Sequence, residues 1–222
     1  MTPPQALLSW SSGKDAAWAL HVLREQGEVE VVGLLTTTNE AFGRVAMHGV
    51  RETLLEAQAE AVGLPLWKVP LPWPCSNEAY EARMAKVCGE AVVQGIEAMA
   101  FGDLFLEDIR EYRIQKLAGT GLHPLFPIWN PDTAALAWEM VAAGLKASVV
   151  CVDPHQLDPS FAGRAFDASL LKDLPASVDP CGEQGEFHTF AWDGPAFQHP
   201  VRVRSGVVVQ RDGFVFADLE PA

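Results

Sequence analysis

The residues of this sequence best suited to chemistry are a lysine and an aspartate side by side, Lys14 and Asp15, in the stretch Ser11-Ser12-Gly13-Lys14-Asp15. An apolar run, Ala6 to Trp10, precedes them and an Ala-rich helical pattern follows. A glycine-containing turn between a strand and a helix aims backbone N–H groups at the helix N-terminus, where they attract an anion such as phosphate. Lys14 adds a point charge. An aspartate beside a phosphate repels it unless a cation lies between, so the pair makes sense if Lys14 meets phosphate and Asp15 meets Mg²⁺. A solvated Lys-Asp pair in the first turn of a surface helix is the bland alternative. The stretch is not a Walker loop, which needs a second glycine and a hydroxyl after the lysine.

A second constellation lies in Asp179-Pro-Cys-Gly-Glu-Gln-Gly-Glu-Phe-His-Thr189. Gly182 and Gly185 bracket Glu183, and Glu186 follows. A tightly turning loop would present two carboxylates with His188 nearby, suited to a cationic acceptor, to ammonia or to a share of Mg²⁺. The alternative is a structural turn whose acids are solvated. Asp103, just past a strand, either orients ribose, metal or acceptor or caps the next helix. Thr36 ends a strand on the same rim, where it contacts adenine or merely closes the strand. His48 precedes a helix, as a nucleotide contact or a loop histidine. Glu107 and Arg110 are spaced for an ion pair along the cleft. Cys181 reads as a small turn residue.

Positioning these residues requires a sheet. Apolar, β-rich runs alternate with helical patterns, as βαβ units do. Strands are expected at Ala6 to Trp10, Val29 to Thr36, Pro65 to Val69, Ala98 to Phe101, near Leu125, and at Ser148 to Val152. Helices are expected from Asp15 to Gln26, stopped by Gly27, and from Val50 to Val62, stopped by Gly63. A third carries Tyr80, Met84, Val87, Cys88 and Ala91 on one face. A fourth runs from Asp132 to Ala143, and a short one from Ala168 to Lys172. Beyond Asp153 the pattern reads mainly as loops, until two strands paired through the Asp212-Gly213 turn. The expected fold class is α/β, a Rossmann-like parallel sheet with helices on both faces plus a smaller C-terminal α+β lobe. The expected division is 1–128 for nucleotide and 129–222 for acceptor.

Composition bounds the partners. The 222 residues carry 16 Lys+Arg against 29 Asp+Glu, a net charge of −13, the wrong sign for gripping nucleic acid through its phosphates. The four cysteines show no zinc-type spacing. The first ten residues lack a basic, then apolar, signal pattern, and nothing resembles a membrane span, so a cytoplasmic protein is expected.

The Ser11–Ala16 segment resembles the PP-loop, S-G-G-K-D-S, of the N-type ATP pyrophosphatases, with Ser12 in place of the first glycine and Ala16 in place of the closing serine. "RVAMHG", "FGDLFLEDIREYR" and above all "DPCGEQGEFHTF" look like the branch containing diphthine-ammonia ligase and its uncharacterised relatives. That resemblance implies Mg-ATP cleaved to AMP and pyrophosphate, with Ser11, Ser12, Gly13, Lys14, Asp15, Thr36, His48 and Asp103 toward nucleotide. Gly182, Glu183, Gly185, Glu186 and His188 would face the acceptor, with Lys14, Asp15, Glu183 and Glu186 catalytic and Asp15 on the metal. The implied partners are ATP, ammonia and a carboxylate acceptor, diphthine on a translation factor where the source makes it, with a homodimer left open. The weighed alternatives are a tRNA-modifying PP-loop enzyme and a non-catalytic nucleotide sensor.

Overall fold

The structure, a computed structural model, describes residues 2–45 and 49–222; the expected contact residue His48 lies outside them. The chain runs β1 (Gln5–Ser9), α1 (Lys14–Gln26), β2 (Glu30–Asn39), β3 (Arg44–Val45), α2 (Glu52–Val62), β4 (Leu66–Leu71), α3 (Asn77–Val93), β5 (Ala98–Ala100), α4 (Glu107–Leu117), β6 (His123–Leu125) and α5 (Thr133–Ala142). It continues with β7 (Lys146–Val152), α6 (Ala168–Asp173), β8 (Phe187–Asp193), β9 (Val203–Arg211) and β10 (Phe214–Pro221).

Strands β4, β2, β1, β5 and β6 lie side by side and parallel, with β3 antiparallel to the last two residues of β2. The order turns back at β1, since the chain goes outward to β2 and β4 on one side and later to β5 and β6 on the other. A crevice therefore opens beyond the carboxyl ends of β1 and β5, where open α/β sheets bind ligands. Helices cover both faces because alternate residues of β1 point to different cores: Leu8 packs with Leu20, Leu55 and Phe187, and Leu7 with Val69, Cys88 and Met99. This is the expected Rossmann-like α/β architecture. The remaining strands form a separate antiparallel sheet in the order β8-β7-β10-β9. Its β9–β10 turn has both Asp212 and Gly213 at positive φ, 51° and 87°, as the Asp-Gly pair announces.

Four local expectations change. Strand β2 continues past Thr36 to Asn39, because Thr36 to Asn39 pair with β4 and their backbone groups are satisfied there. Helix α2 starts at Glu52, not Val50, since Arg51 is extended and acts as its N-cap. Helix α4 had no apolar periodicity to mark it, and of its residues only Leu117 is buried. Strand β8 follows directly from the Gly-rich turn, where loop was expected, and pairs along β7.

The second sheet is tied to the β1–α1 turn by a buried polar hub. The Ser12 carbonyl accepts hydrogen bonds from the Ala191 N–H at 2.9 Å and from Gln58 Nε2 at 3.0 Å, and Gln58 Oε1 accepts from Trp10 Nε1 at 3.0 Å. Gln58 is fully buried, so losing either side of this link would leave polar groups dry.

Candidate functional site

After β1 the chain turns sharply through Ser11, Ser12 and Gly13 before α1 begins. Ser12 stands at φ 71°, in the left-handed region where the similar PP-loops carry glycine. Its hydroxyl is buried and has no hydrogen-bond partner among the described residues. Gly13 caps the helix with backbone alone, and the Lys14 N–H donates to Thr189 Oγ1 on β8 at 3.1 Å. The end of β5 closes in on the same turn: a Cβ on Gly102 would lie 3.0 Å from the Asp15 carbonyl carbon. Only glycine lets the two backbones approach so closely.

Lys14 does not extend into solvent. Its side chain is 2% exposed, its Nζ donates to both Asp15 oxygens at 2.9 and 2.8 Å and to the Cys181 carbonyl, and it lies 5.5 Å from the Phe166 ring centre and 5.6 Å from that of Phe187. Burial works against the charge, yet Asp15 above all outweighs it, and the ammonium's pKa lies above the ordinary lysine value. Burial pushes the Asp15 carboxyl upward in spite of Lys14. A quarter of its side chain still meets solvent and both oxygens sit on an ammonium, so the carboxylate form is the one the geometry holds.

The loop from Asp179 to Glu186 is built from its own acids. Asp179 Oδ2 accepts the Glu183 N–H at 2.9 Å; Glu186 accepts the Asp179 N–H at 2.8 Å on one oxygen and the Gln184 N–H at 3.0 Å on the other. Gly182 stands at φ 70°, and a Cβ there would lie 2.8 Å from the Phe187 carbonyl oxygen. So folded, the loop sends Glu183 back over the parallel sheet, where Oε1 accepts the Leu104 N–H at 2.8 Å. Burial, together with Asp15, pushes the Glu183 carboxyl up to about 7, although the Leu104 N–H works the other way. Burial, and then Lys14, pull His188 down to about 4, so it is neutral at pH 7. The Cys181 thiol, donating to the Thr133 carbonyl at 3.4 Å, is pushed by burial up to about 12, which keeps it protonated at pH 7 and speaks against a nucleophilic role.

A cavity of about 250 Å³ opens at the crevice, and Ser11, Lys14, Asp15, Asp103, Glu183 and His188 all line it. The structure thus brings together one residue set from the β1–α1 turn, one from the end of β5 and one from the C-terminal loop. Gly182 also lines it. Ser12, Gly13, Thr36, Glu186 and Gly185 do not: the Thr36 hydroxyl donates to the Trp10 carbonyl at 2.7 Å, and Glu186, 1% exposed, faces its own loop. Asp103 caps no helix, since Leu106 is the N-cap of α4; it accepts from Arg113 Nε at 3.3 Å instead. Glu107 and Arg110 pair at 3.6 Å outside the cavity lining, with the Arg110 guanidinium 4.9 Å from the Trp129 ring. Sequence reasoning did not single out Gly102, Arg113, Phe187 and Thr189, all of which line the cavity. Gly102 and Arg113 lie inside the stretch "FGDLFLEDIREYR", but only their tertiary neighbours give them a task.

Among the described residues, no group of three or more His, Cys, Asp or Glu side chains is placed to hold a metal. The donors facing the cavity are carboxylate oxygens, the hard ligands Mg²⁺ takes, and Mg²⁺ commonly uses one or two of them beside phosphate and water. The residues present therefore fit a phosphate-borne Mg²⁺ better than a resident metal.

Residues 5–122 match the family described as diphthamide synthase N-terminal domain, and residues 132–216 the one described as diphthamide synthase C-terminal domain. A diphthine–ammonia ligase of Bos taurus is 27% identical over 183 residues, covering 74% of this chain and 67% of the relative. That of Danio rerio is 29% identical, covering 72% and 69%, and that of Homo sapiens 26% identical, covering 74% and 67%. With family matches over both its parallel-sheet part and its C-terminal part, the chain belongs to the diphthamide synthase family.

Proposed function

We propose that the protein is an ATP-dependent ligase that cleaves ATP to AMP and pyrophosphate, adenylating a carboxylate acceptor which ammonia then converts to an amide. The observation that carries this reading is the meeting of Lys14 and Asp15 with Glu183 around one cavity at the sheet's switch point. Relatives named diphthine–ammonia ligase support it. The acceptor oxygen would attack the α-phosphorus and pyrophosphate would leave; ammonia would then displace AMP at the carbonyl carbon and lose a proton.

Each residue has a role in this scheme. The N-terminus of α1 receives phosphate, and Lys14, once drawn from Asp15 and Cys181, offsets charge on the departing pyrophosphate. Asp15, with Asp103 near it, would hold the Mg²⁺ that accompanies the nucleotide and neutralises its phosphates. Glu183, with a pKa of about 7, is matched to accepting the proton that ammonium or ammonia gives up. Neutral His188 lines the same wall, and Glu186 positions the loop. On this reading residues 1–128 hold the nucleotide and residues 129–222 bring the Glu183 loop to the acceptor, and the acceptor chemistry is that of diphthine or a related carboxylate. No described helix is long and apolar enough to cross a membrane, and a cytoplasmic site of action is proposed.

The test is Asp15→Asn. AMP formation should fall far more than adenosine binding weakens, because the residue acts on the metal and phosphates. Equal loss of both would remove the assignment.

A further inference from the structure

The cavity has a neighbour. Between α3 and α4 lies a slot of about 180 Å³ with walls of Tyr80, Met84, Cys88, Met99 and Leu117. Two residues, Phe101 and Arg113, line both the slot and the cavity, and so form the partition between them. The Arg113 guanidinium lies 4.8 Å from the Phe101 ring centre, and its Nε donates to Asp103.

Charge decides what this partition can receive. The cavity is lined by Asp15, Asp103 and Glu183, and its permanent cations among the described residues are Lys14 and Arg113. Lys14 is committed to Asp15 and the Cys181 carbonyl, and on binding nucleotide to phosphate. Arg113 is engaged as well, its Nε on Asp103 and a further hydrogen bond on Tyr80, but of the cavity's cations it is the one whose planar fork carries further N–H donors for a carboxylate entering from the α4 side. Lys116 at the slot is paired with Glu81 at 2.6 Å. Behind Arg113 the walls are mainly apolar, with Thr120 and the Glu81–Lys116 pair among them, and the volume slightly exceeds a cavity of about 150 Å³ that holds benzene.

We propose that this slot is the acceptor's subsite: Arg113 holds the acceptor's carboxylate at the cavity edge, and a ring or short hydrocarbon next to that carboxylate enters between α3 and α4. The proposal rests on the ligase reading for the word acceptor, but its site is testable without nucleotide.

The experiment is ligand-observed NMR on the full chain with benzoate, 3-phenylpropionate and hexanoate as probes, alongside calorimetry with ATP. At least one acid should bind wild type with a dissociation constant of about a millimolar, the scale for fragments of this size. Arg113→Met should weaken it at least tenfold, Arg113→Lys less, and slot-filling Met84→Phe should exclude it while ATP affinity stays within about twofold. Cys88→Phe repeats the filling from a deeper wall, so that if one filler fails to fold the other decides. No binding of any probe to wild type, or binding indifferent to the fillers, overturns the slot while leaving the ligase reading intact. Failure of AMP formation would instead remove the ligase reading and leave the probe result standing as an acid-binding site.

Discussion

The ammonium of Lys14 reaches from the first turn of α1 to the carbonyl of Cys181, joining the nucleotide-side turn to the C-terminal loop that carries Glu183. A residue expected to face phosphate thus also fastens two distant parts of the chain. On the proposed function, nucleotide recruits Lys14 by loosening that fastening, which would couple the two halves of the site.

Lys14→Met should show both roles. It leaves Asp15 without its ammonium partner, and because Asp15 retains some exposure the cost is below that of a fully buried pair, about 2 kcal/mol. ATP affinity should fall by roughly one to two decades, the scale of a charged contact worth about 1.5 to 3 kcal/mol. Urea unfolding and calorimetry check the two figures, and unchanged ATP affinity would refute the loop assignment.

Glu183→Gln isolates a pH effect. With its folded pKa raised to about 7, Glu183 keeps a proton that the unfolded chain releases near the ordinary value of 4.5. Its contribution to stability is full below about pH 4.5 and is lost as pH rises through 7. His188, lowered to about 4, works oppositely, contributing above about pH 6.5 and losing it as pH falls toward 4. The Gln variant should therefore gain about 1 to 2 kcal/mol on wild type at pH 8 and little at pH 4.5, after discounting for partial exposure. Denaturation at the two pH values checks this; equal differences at both would mean that folding does not raise the carboxyl's pKa.

Glu186 should behave differently. Glu186→Ala strips acceptors from two backbone N–H groups, of Asp179 and Gln184, and should cost roughly 2 to 4 kcal/mol. Hydrogen exchange of 179–186 should accelerate with it. Glu183→Gln, which keeps an acceptor for Leu104, should leave exchange there unchanged. If Glu186→Ala melted like wild type, its structural role would be refuted.

Ser12→Gly should stabilise. The left-handed backbone costs a non-glycine residue about 1 to 2 kcal/mol and the buried, unpartnered hydroxyl adds to that, against a glycine entropy cost of about 0.5 to 1. A gain of roughly 1 kcal/mol in denaturant unfolding is expected; a loss would show that the hydroxyl is engaged.

Much of this architecture was legible beforehand for physical reasons. Gly27 and Gly63 stop their helices in the left-handed conformation, and Asp212-Gly213 makes its hairpin, because local backbone sterics decide those points. Helix α4 was not legible, because it buries little and carries no apolar stripe. Strand β8 was hidden behind a turn whose two glycines read as loop. Thr36 and Glu186 were of the right type and in the right neighbourhood, but periodicity cannot say that a hydroxyl turns to the Trp10 carbonyl or that a carboxylate closes its own loop. Gly102 matters through Asp15, far back along the chain, and Arg113 through Phe101 and Asp103 across the loop before α4, which no spacing reveals.

The most direct test of the central claim is the fate of ATP labelled at the α-phosphate, incubated with the protein, Mg²⁺, ammonium and cell extract as the acceptor source. Labelled AMP with an equal amount of pyrophosphate is expected, dependent on ammonium and abolished by Asp15→Asn. Labelled ADP, or no turnover above the Asp15→Asn variant, would contradict it.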